Sequence, residues 1–235
     1  MKIRLLSIIA AICIATGCMA QIRYSIQHKP YIDLRPMHFG ISVGMNMQDI
    51  EFESEAPIVC DADRWNSGLS VGVLADMRLS NHLNLRITPT MHFGSKRLVF
   101  RNLLDLSEGG KPHESTQDLK NTYLSVPIDL KFSAQRFNNY RPYILAGVAP
   151  MVNLAGKDQD YVQLKRYDMM VEVGLGCDFY LPFFKLIPEL KFCYGLSDVL
   201  DKGHVNELTD VNKRAFAQSV TSARTKMIVL TLYFE

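Results

Sequence analysis

The sequence lacks a second long apolar run after its N-terminal segment. Beyond residue 20, no stretch approaches the roughly 18 to 20 consecutive apolar residues that a membrane-spanning helix requires. Because lipid leaves no backbone polar group without a partner, any membrane span in this chain has to be built from strands. Composition alone would equally fit a soluble protein, so the pattern along the chain has to decide between the two.

Cysteine and excess charge are also scarce. The formal net charge is +2 over 235 residues, which provides no basic surface for nucleic acid. After the N-terminal segment only Cys60, Cys177 and Cys193 remain, so at least one thiol is unpaired in the monomer. No C-x-x-C spacing of the kind used by zinc and redox sites is present. The sequence therefore implies neither a disulfide framework nor a metal or cofactor site.

The N-terminus has the pattern of a secretory signal. Lys2 and Arg4 precede an apolar run of about eleven residues, and Cys18-Met19-Ala20 supplies the small-x-small ending that signal peptidase needs. We therefore predict a signal peptide over 1–20. Ala15-Thr16-Gly17-Cys18 also resembles a lipobox, which would place a lipid on Cys18, although Ala15 fits that pattern poorly and a barrel needs no second membrane anchor.

Segments of alternating hydrophobicity recur through the rest of the chain. In 69–79 the apolar residues Leu69, Val71, Val73, Ala75, Met77 and Leu79 share one face, and Ser70, Gly72, Asp76 and Arg78 lie on the other. The same alternation occurs in 82–93, 122–133, 166–179 and 184–194, and less clearly phased apolar segments lie at about 37–47, 140–154 and 225–235. These segments predict an all-β, eight-stranded antiparallel transmembrane β-barrel over 37–235, placed in the outer membrane of a Gram-negative bacterium and contacting its lipid. Pro89 and Pro127 predict local bulges or breaks, because proline donates no ladder hydrogen bond.

The connections alternate in length, as they do in outer-membrane barrels. The predicted long loops are 48–66, 101–121, 155–165 and 195–224, and the predicted short turns are Ser80-Asn81, Ala134 to Asn139 and Leu181-Pro182. This arrangement places the short turns, both chain ends and a polar arm over 21–36 on the periplasmic side.

Aromatic residues predict the two membrane interfaces. The short-turn end collects Phe132, Phe137, Tyr140, Tyr143, Phe179, Tyr180, Phe183, Phe184, Tyr233 and Phe234. The outer girdle is predicted from Tyr123, Tyr167 and Tyr194.

The inward face is predicted to be charged and filled. It collects Asp76, Asp129, Asp168, Glu172, Asp178 and Glu189, and Arg78, Arg86, Lys131, Arg166, Lys185 and Lys191. An eight-stranded barrel is just wide enough for its side chains, so these charges are expected to pair with one another and to leave no channel and no small-molecule substrate site.

Catalytic and metal alternatives have only weak signals. Gly68-Leu69-Ser70-Val71-Gly72 matches the G-x-S-x-G pattern, but it lies inside an alternating strand and not at a strand-to-helix turn. The inward histidines His38, His82 and His92 lie on different strands. The predicted loops contain His113, Asp118, Asp158, Asp160, His204 and Asp210 without a recognisable spacing. We predict no catalytic, cofactor-binding or metal-binding residues.

Several phrases together resemble the PorT family of Bacteroidetes outer-membrane barrels. They are Asp33-Leu34-Arg35-Pro36-Met37-His38-Phe39-Gly40, Gly44-Met45-Asn46, Tyr123-Leu124-Ser125-Val126-Pro127-Ile128, Arg141-Pro142-Tyr143-Ile144-Leu145-Ala146-Gly147 and Pro188-Glu189-Leu190-Lys191-Phe192 with Tyr194-Gly195-Leu196. The closing Met227 to Glu235 and the phrase from Asp33 are more similar to the secretion component of that family than to its generic members.

The resemblance implies a non-enzymatic component of the type IX secretion system, with other components of that system as partners. A narrow barrel is expected to assist by assembly or docking and not to serve as the channel. Two alternatives stay open. One is a generic outer-membrane barrel that acts as a surface adhesin or structural protein, and the other is a small barrel hydrolase.

Overall fold

The computed structural model describes residues 28–54, 58–62, 66–106, 112–154, 163–201 and 220–235. The strands are β1 Met37–Ser54, β2 Ile58–Ala62, β3 Asn66–Arg78, β4 Leu83–Ile87, β5 Thr90–Leu106, β6 Pro112–Ser125, β7 Ile128–Ser133, β8 Tyr140–Asn153, β9 Tyr167–Tyr180, β10 Lys185–Gly195 and β11 Val220–Phe234. A 3-10 turn, η1 Ile32–Leu34, precedes β1. Within the described ranges, no helix is long and apolar enough to span a membrane.

The strands form one closed antiparallel sheet. Starting from β1, the ladders run through β3, then β4 with β5, then β7 with β6, then β8, β9, β10 and β11. β11 returns to β1, with Phe234 opposite Ile41 and Ile228 opposite Met47. β4 and β5 follow one another in a single position of the wall, and so do β6 and β7. The described strands of the wall therefore form an eight-stranded barrel. The predicted fold is confirmed, and β2 is an additional short strand paired with β5.

Two proline-containing breaks interrupt the wall side by side. Thr88-Pro89 separates β4 from β5, and Val126-Pro127 separates β6 from β7. The amide of Thr88 donates to the carbonyl of Pro127 at 3.2 Å, so the chain remains connected across the gap. Proline has no N–H to continue a ladder, which accounts for the breaks that the sequence predicts at these residues.

The outer surface of the wall is apolar and the interior is polar. Val73, Ile144 and Leu175 point outward and are 52%, 62% and 56% exposed, while Asp76 and Glu189 are buried inside. The inward and outward faces predicted for 69–79, 122–133 and 184–194 are confirmed, and so are those for 83–93. The predicted inward place of His82 is wrong, because this residue is exposed at the short turn before β4. An outward apolar surface of this extent requires lipid around it.

Two of the predicted long loops are wrong over most of their length. The segment 48–66 contains the end of β1, β2 and the start of β3, and the segment 101–121 contains the end of β5 and most of β6. These strands continue as a backbone ladder, with Arg101 opposite Glu114. In the other two predicted long loops, residues 155–162 and 202–219 lie outside the described residues.

Four tyrosines assigned to the interfacial girdles are instead inside the barrel. Tyr123, Tyr143, Tyr180 and Tyr233 are buried, so their predicted place at the lipid headgroups is wrong. The aromatic residues of the predicted girdles that are exposed are Phe132, Tyr140, Tyr167, Phe179, Phe183, Phe184, Tyr194 and Phe234. Gly176 leaves room for the Tyr143 ring, because a Cβ at residue 176 would lie 2.5 Å from its Cζ atom.

The two described cysteines are unpaired, as the sequence predicts. Cys177 lies on the outward face of β9, whereas Cys193 is buried inside the barrel. Cys60 lies in β2, where the structure does not describe the side chain.

Candidate functional site

The short-turn half of the lumen, which we name the inner lumen, is organised around a buried guanidinium. Arg86 on β4 donates to Glu189 on β10 at 2.5 Å and to Asp76 on β3 at 3.1 Å. Glu189 also accepts hydrogen bonds from the hydroxyls of Tyr143 at 2.5 Å and Tyr233 at 2.9 Å. A buried charge is stable only when it is paired and hydrogen-bonded, and this carboxylate has both kinds of partner.

A second group of charges lies nearer the short turns. Lys131 contacts Asp178 at 2.8 Å, and Lys185 lies 3.4 Å from Asp178 and 2.9 Å from Glu235. His38 on β1 lies 2.6 Å from the other oxygen of Glu235. Burial acts to raise the pKa of the Glu235 carboxyl, but the hydrogen bond from His38 and the charge of Lys185 hold it below the usual value.

Lys191 on β10 forms a third group, deeper in the barrel. Its ammonium lies 2.7 Å from Glu172, 2.8 Å from Asp129 and 3.6 Å from Glu189. Asp76 joins the first two groups, since Lys131 also lies 3.8 Å from it, and Glu189 joins the first and third groups. The three groups therefore act as one connected network that ties the wall strands together across the lumen.

Most of the charges predicted to face inward belong to this network or to its edges. Asp76, Arg86, Asp129, Lys131, Glu172, Asp178, Lys185, Glu189 and Lys191 are buried. Arg166 is exposed, so its predicted inward place is wrong: it precedes β9 at the long-loop end, where the wall no longer encloses it. Asp168 is half-buried near that end and accepts a hydrogen bond from the Met169 amide at 2.7 Å.

The serine of the G-x-S-x-G pattern belongs to a buried hydrogen-bonded chain. Asn46 donates to Ser70 Oγ at 2.8 Å, Ser70 Oγ lies 2.7 Å from His92 Nδ1, and His92 Nε2 lies 3.0 Å from Ser125 Oγ. Ser125 donates in turn to the carbonyl of Thr90. All donors are satisfied when Ser70 donates to Nδ1 and Nε2–H donates to Ser125, which is the neutral tautomer. The serine is 1% exposed inside a strand, so it forms no accessible nucleophile elbow.

The long-loop half of the lumen, which we name the outer lumen, contains this hydrogen-bonded chain beside an apolar cluster. The buried cluster consists of Tyr123, Ala149, Met151, Met170, Cys193, Met227 and Val229. His92 of the chain is opposite Tyr123 of the cluster in the ladder of β5 with β6. Leu164 and Leu200 form an isolated bridge beyond β9 and β10, and both are buried. Hydrogen bonds and apolar packing at this end thus replace the ion pairs of the inner lumen.

The chain before β1 lies against the short-turn mouth of the barrel. The Tyr180 hydroxyl donates to Asp33 at 2.6 Å, and Arg136 donates to the carbonyls of His28 and, at 3.1 Å, Lys29. The Arg136 guanidinium also stacks over the Tyr180 ring at 3.5 Å from its centroid. Residues 28–36 are therefore fastened to the barrel. The rest of the predicted 21–36 arm lies outside the described residues.

The three histidines considered as metal ligands do not meet. His38 contacts Glu235, His82 lies at the outer edge of a short turn near the Ser133 carbonyl, and His92 lies between Ser70 and Ser125. Within the described part of the chain, no group of three metal-ligating side chains is present. His113 and Asp118 lie in β6 without described side chains. Asp158, Asp160, His204 and Asp210 lie outside the described residues.

Sequence reasoning missed Asp33, Tyr143, Tyr180 and Tyr233 as partners of the buried charges. The available signal was the strand alternation around Tyr180 and Tyr233, since each follows or precedes an outward phenylalanine and so must face inward. No local signal marks Asp33, whose partners are more than a hundred residues away in the sequence.

Comparison with solved structures gives the same fold. The barrel is similar to the outer membrane protein OprG from Pseudomonas aeruginosa, with a TM-score of 0.50 and 13% identity over 89% of this chain and 97% of that one. It is also similar to Neisserial surface protein A (TM-score 0.43, 11% identity, 85% and 98% coverage) and to the Yersinia pestis attachment invasion locus protein Ail (0.38, 12%, 83% and 96%). At these identities the likeness concerns the fold alone. A comparison with curated proteins found no match.

The location follows from the apolar outer wall and the closed sheet, together with the family of the chain. The protein lies in the outer membrane and contacts its lipid, with the short turns on the periplasmic side and the long loops outside. The family model described as the outer membrane protein beta-barrel domain matches residues 19–201. The chain therefore belongs to this family of outer-membrane β-barrels.

Proposed function

We propose that the protein is a non-enzymatic barrel that supports type IX protein secretion through its periplasmic and outer surfaces. In this proposal it docks or assembles other secretion components and does not conduct the cargo. The filled lumen is the observation that supports it most. Arg86, Lys131 and Glu189 are buried across the middle of the barrel and bound to partners on several strands.

Opening a passage through that network would separate buried ion pairs. Removing one partner from such a pair costs about 3 to 5 kcal/mol, and several pairs would have to break together. A cargo protein would in addition need far more width than eight strands enclose. These costs favour work at the surfaces over transport through the lumen.

The choice of type IX secretion depends on the resemblance to PorT, the family's secretion component. The resembling phrases include the mouth segment from Asp33 and the closing strand β11. In the structure these two segments lie near each other at the periplasmic end, where Asp33 contacts Tyr180 and Glu235 contacts Lys185. That end is available to periplasmic components of an export machine, which agrees with the proposal.

Deletion of the gene tests the secretion role. We expect type IX cargo to accumulate in the periplasm of the deletion strain, as measured by immunoblotting of periplasmic and culture fractions. Restoring the wild-type gene should return cargo to the medium. Normal secretion in the deletion strain would refute the type IX role.

Two complementing variants separate the possible mechanisms. Ser70→Ala removes the nucleophile-like hydroxyl and should restore secretion fully if no hydrolase chemistry is involved. Replacing 202–219 with a short turn between Asp201 and Val220 keeps every described strand and should impair export if that loop is a docking surface. Equal outer-membrane levels of all variants, measured by immunoblotting, are the control.

A surface adhesin is the second candidate function. It is favoured by β5 and β6, which have 17 and 14 residues and so exceed the about 9 to 11 residues that a strand needs to span the membrane. Binding of the deletion strain to extracellular-matrix proteins measures this role. Reduced binding together with normal secretion would select the adhesin over the secretion component.

A further inference from the structure

A cleft opens at the periplasmic mouth beside the fastened 28–36 segment. It has a volume of about 430 Å³, within the range of small-ligand sites. Two adjacent short turns and the mouth segment bound it, because β4 and β7 are paired and carry these turns at their ends. Its polar lining is Asp33, Arg78, Asn81, His82, Gln135, Arg136 and Arg141. We name it the mouth cleft.

The mouth cleft has more positive than negative charge. Three arginines line it, and Asp33 is the one carboxylate among its lining residues. The Arg136 and Arg141 guanidiniums lie 3.5 and 3.8 Å from Asp33, longer than the 2.6 Å bond that Asp33 accepts from the Tyr180 hydroxyl. Asp33 therefore neutralises the arginines only in part.

Arg78 in particular contacts neutral acceptors. Its guanidinium donates to the Asn81 side-chain oxygen at 2.5 Å and to the Leu34 carbonyl at 3.3 Å, and no described carboxylate pairs with it. A guanidinium has five N–H donors in a planar fork, so Arg78 retains donors for a further oxyanion. Arginine recognises phosphate by two parallel hydrogen bonds from this fork.

The cleft lies at the short-turn edge of the apolar outer wall. Leu79, next to Arg78, points outward and is 51% exposed. Beyond this level lipid gives way to periplasm. A phosphate group can therefore reach the mouth cleft either on a phospholipid headgroup or free in solution.

We propose that the mouth cleft is a phosphate-binding site in which Arg78 holds the anion, the nearby charges of Arg136 and Arg141 attract it, and Asp33 opposes it. The charge balance predicts opposite effects for two substitutions. Arg78→Gln removes a donor fork and should weaken binding about tenfold or more. Asp33→Asn removes the opposing charge and should strengthen binding, while its amide oxygen still accepts the Tyr180 hydroxyl.

Calorimetric titration of the detergent-solubilised full chain with inorganic phosphate tests the soluble source. Native mass spectrometry of the same protein from micelles containing phosphatidylglycerol or phosphate-free diacylglycerol tests the lipid source. Arg166→Gln, an exposed arginine at the opposite end of the barrel, is the matched control and should leave both readouts unchanged.

Saturable binding of inorganic phosphate, or selective retention of phosphatidylglycerol, supports the proposal when Arg78→Gln and Asp33→Asn change it in opposite directions. The arm that responds identifies the source. Absence of both kinds of binding by the wild-type protein overturns the proposal. A decrease of equal size in both variants, or in Arg166→Gln, also overturns it, because the arginines would then serve only to hold the turns and the mouth segment.

Discussion

The inner and outer halves of the lumen are filled by different chemistry. The inner lumen contains interlocked charges, with Arg86, Lys131 and Lys191 each shared between carboxylates of different strands. The outer lumen contains an apolar cluster that includes Met151 and Met170, beside the hydrogen-bonded chain that includes His92. Directional ion pairs specify which strands face each other, whereas flexible methionines fill space with little directional requirement. The inner half is therefore expected to determine the register of the barrel, and the outer half to tolerate change.

Loss of the central guanidinium should have the largest effect on this contrast. Arg86→Met leaves Asp76 and Glu189 without their main cationic partner. We therefore expect the free energy of unfolding, measured in urea, to fall by about 3 to 5 kcal/mol. Arg86→Lys keeps the charge but loses the fork, so its effect should be smaller. Wild-type stability of Arg86→Met would show that the network does not hold the inner half together.

A charge on the lipid face should destabilise the barrel in either half, because the outward side chains of both halves contact lipid. Val73→Arg should destabilise the barrel by about 2 to 4 kcal/mol if the residue is near the bilayer midplane. Asn206→Arg, in the 202–219 segment, is the control and should have almost no effect. Equal tolerance at both positions, measured by unfolding in lipid vesicles, would contradict the assigned faces.

The outer lumen should accept an apolar exchange that conserves volume. Met170→Leu is expected to cost less than about 1.5 kcal/mol in the same unfolding assay. Met170→Gln has a similar length but introduces an amide among apolar neighbours, and it should cost more. A severe effect of the leucine variant would remove the proposed difference between the two halves.

The smallest expected effect concerns acid at the edge of the inner lumen. Because the pKa of Glu235 is lowered on folding, its ionised form stabilises the barrel above its ordinary value of 4.5, and this contribution is lost as the pH falls through the folded-state pKa. Unfolding free energy measured against pH should therefore decline on acidification, and less so in Glu235→Gln. An identical decline in both proteins would exclude this carboxylate as a cause.

The alternating strands could be predicted from the sequence because lipid and lumen impose opposite demands on neighbouring residues. Val73 and Asp76 illustrate this, since each has a side chain that only one of the two faces accepts. β8 could not be phased in this way, because Tyr143 and Leu145 inside are as apolar as Ile144 outside. The sequence therefore assigns Tyr143 by its height on the wall and not by the face on which it lies.

Strands outside the membrane and contacts across the lumen could not be predicted. The ladder of Arg101 with Glu114 joins two segments whose sequences do not alternate in hydrophobicity, so polarity carries no strand signal there. The contact of Arg86 with Glu189 joins residues 103 positions apart, and its identity depends on how far each strand is shifted around the barrel. The pattern predicts that the charges pair, whereas the choice of partners requires the closed structure.

The ladder between β1 and β11 has a consequence for how the barrel is made. It joins two strands far apart in the chain, so the edge of β1 stays unpaired until β11 pairs with it. Contacts between such distant segments make folding slow. During that wait, both edges have unpaired N–H and C=O groups, which the hydrocarbon of a membrane does not tolerate. We infer that insertion and closure are one concerted event, with the edges shielded until β11 meets β1.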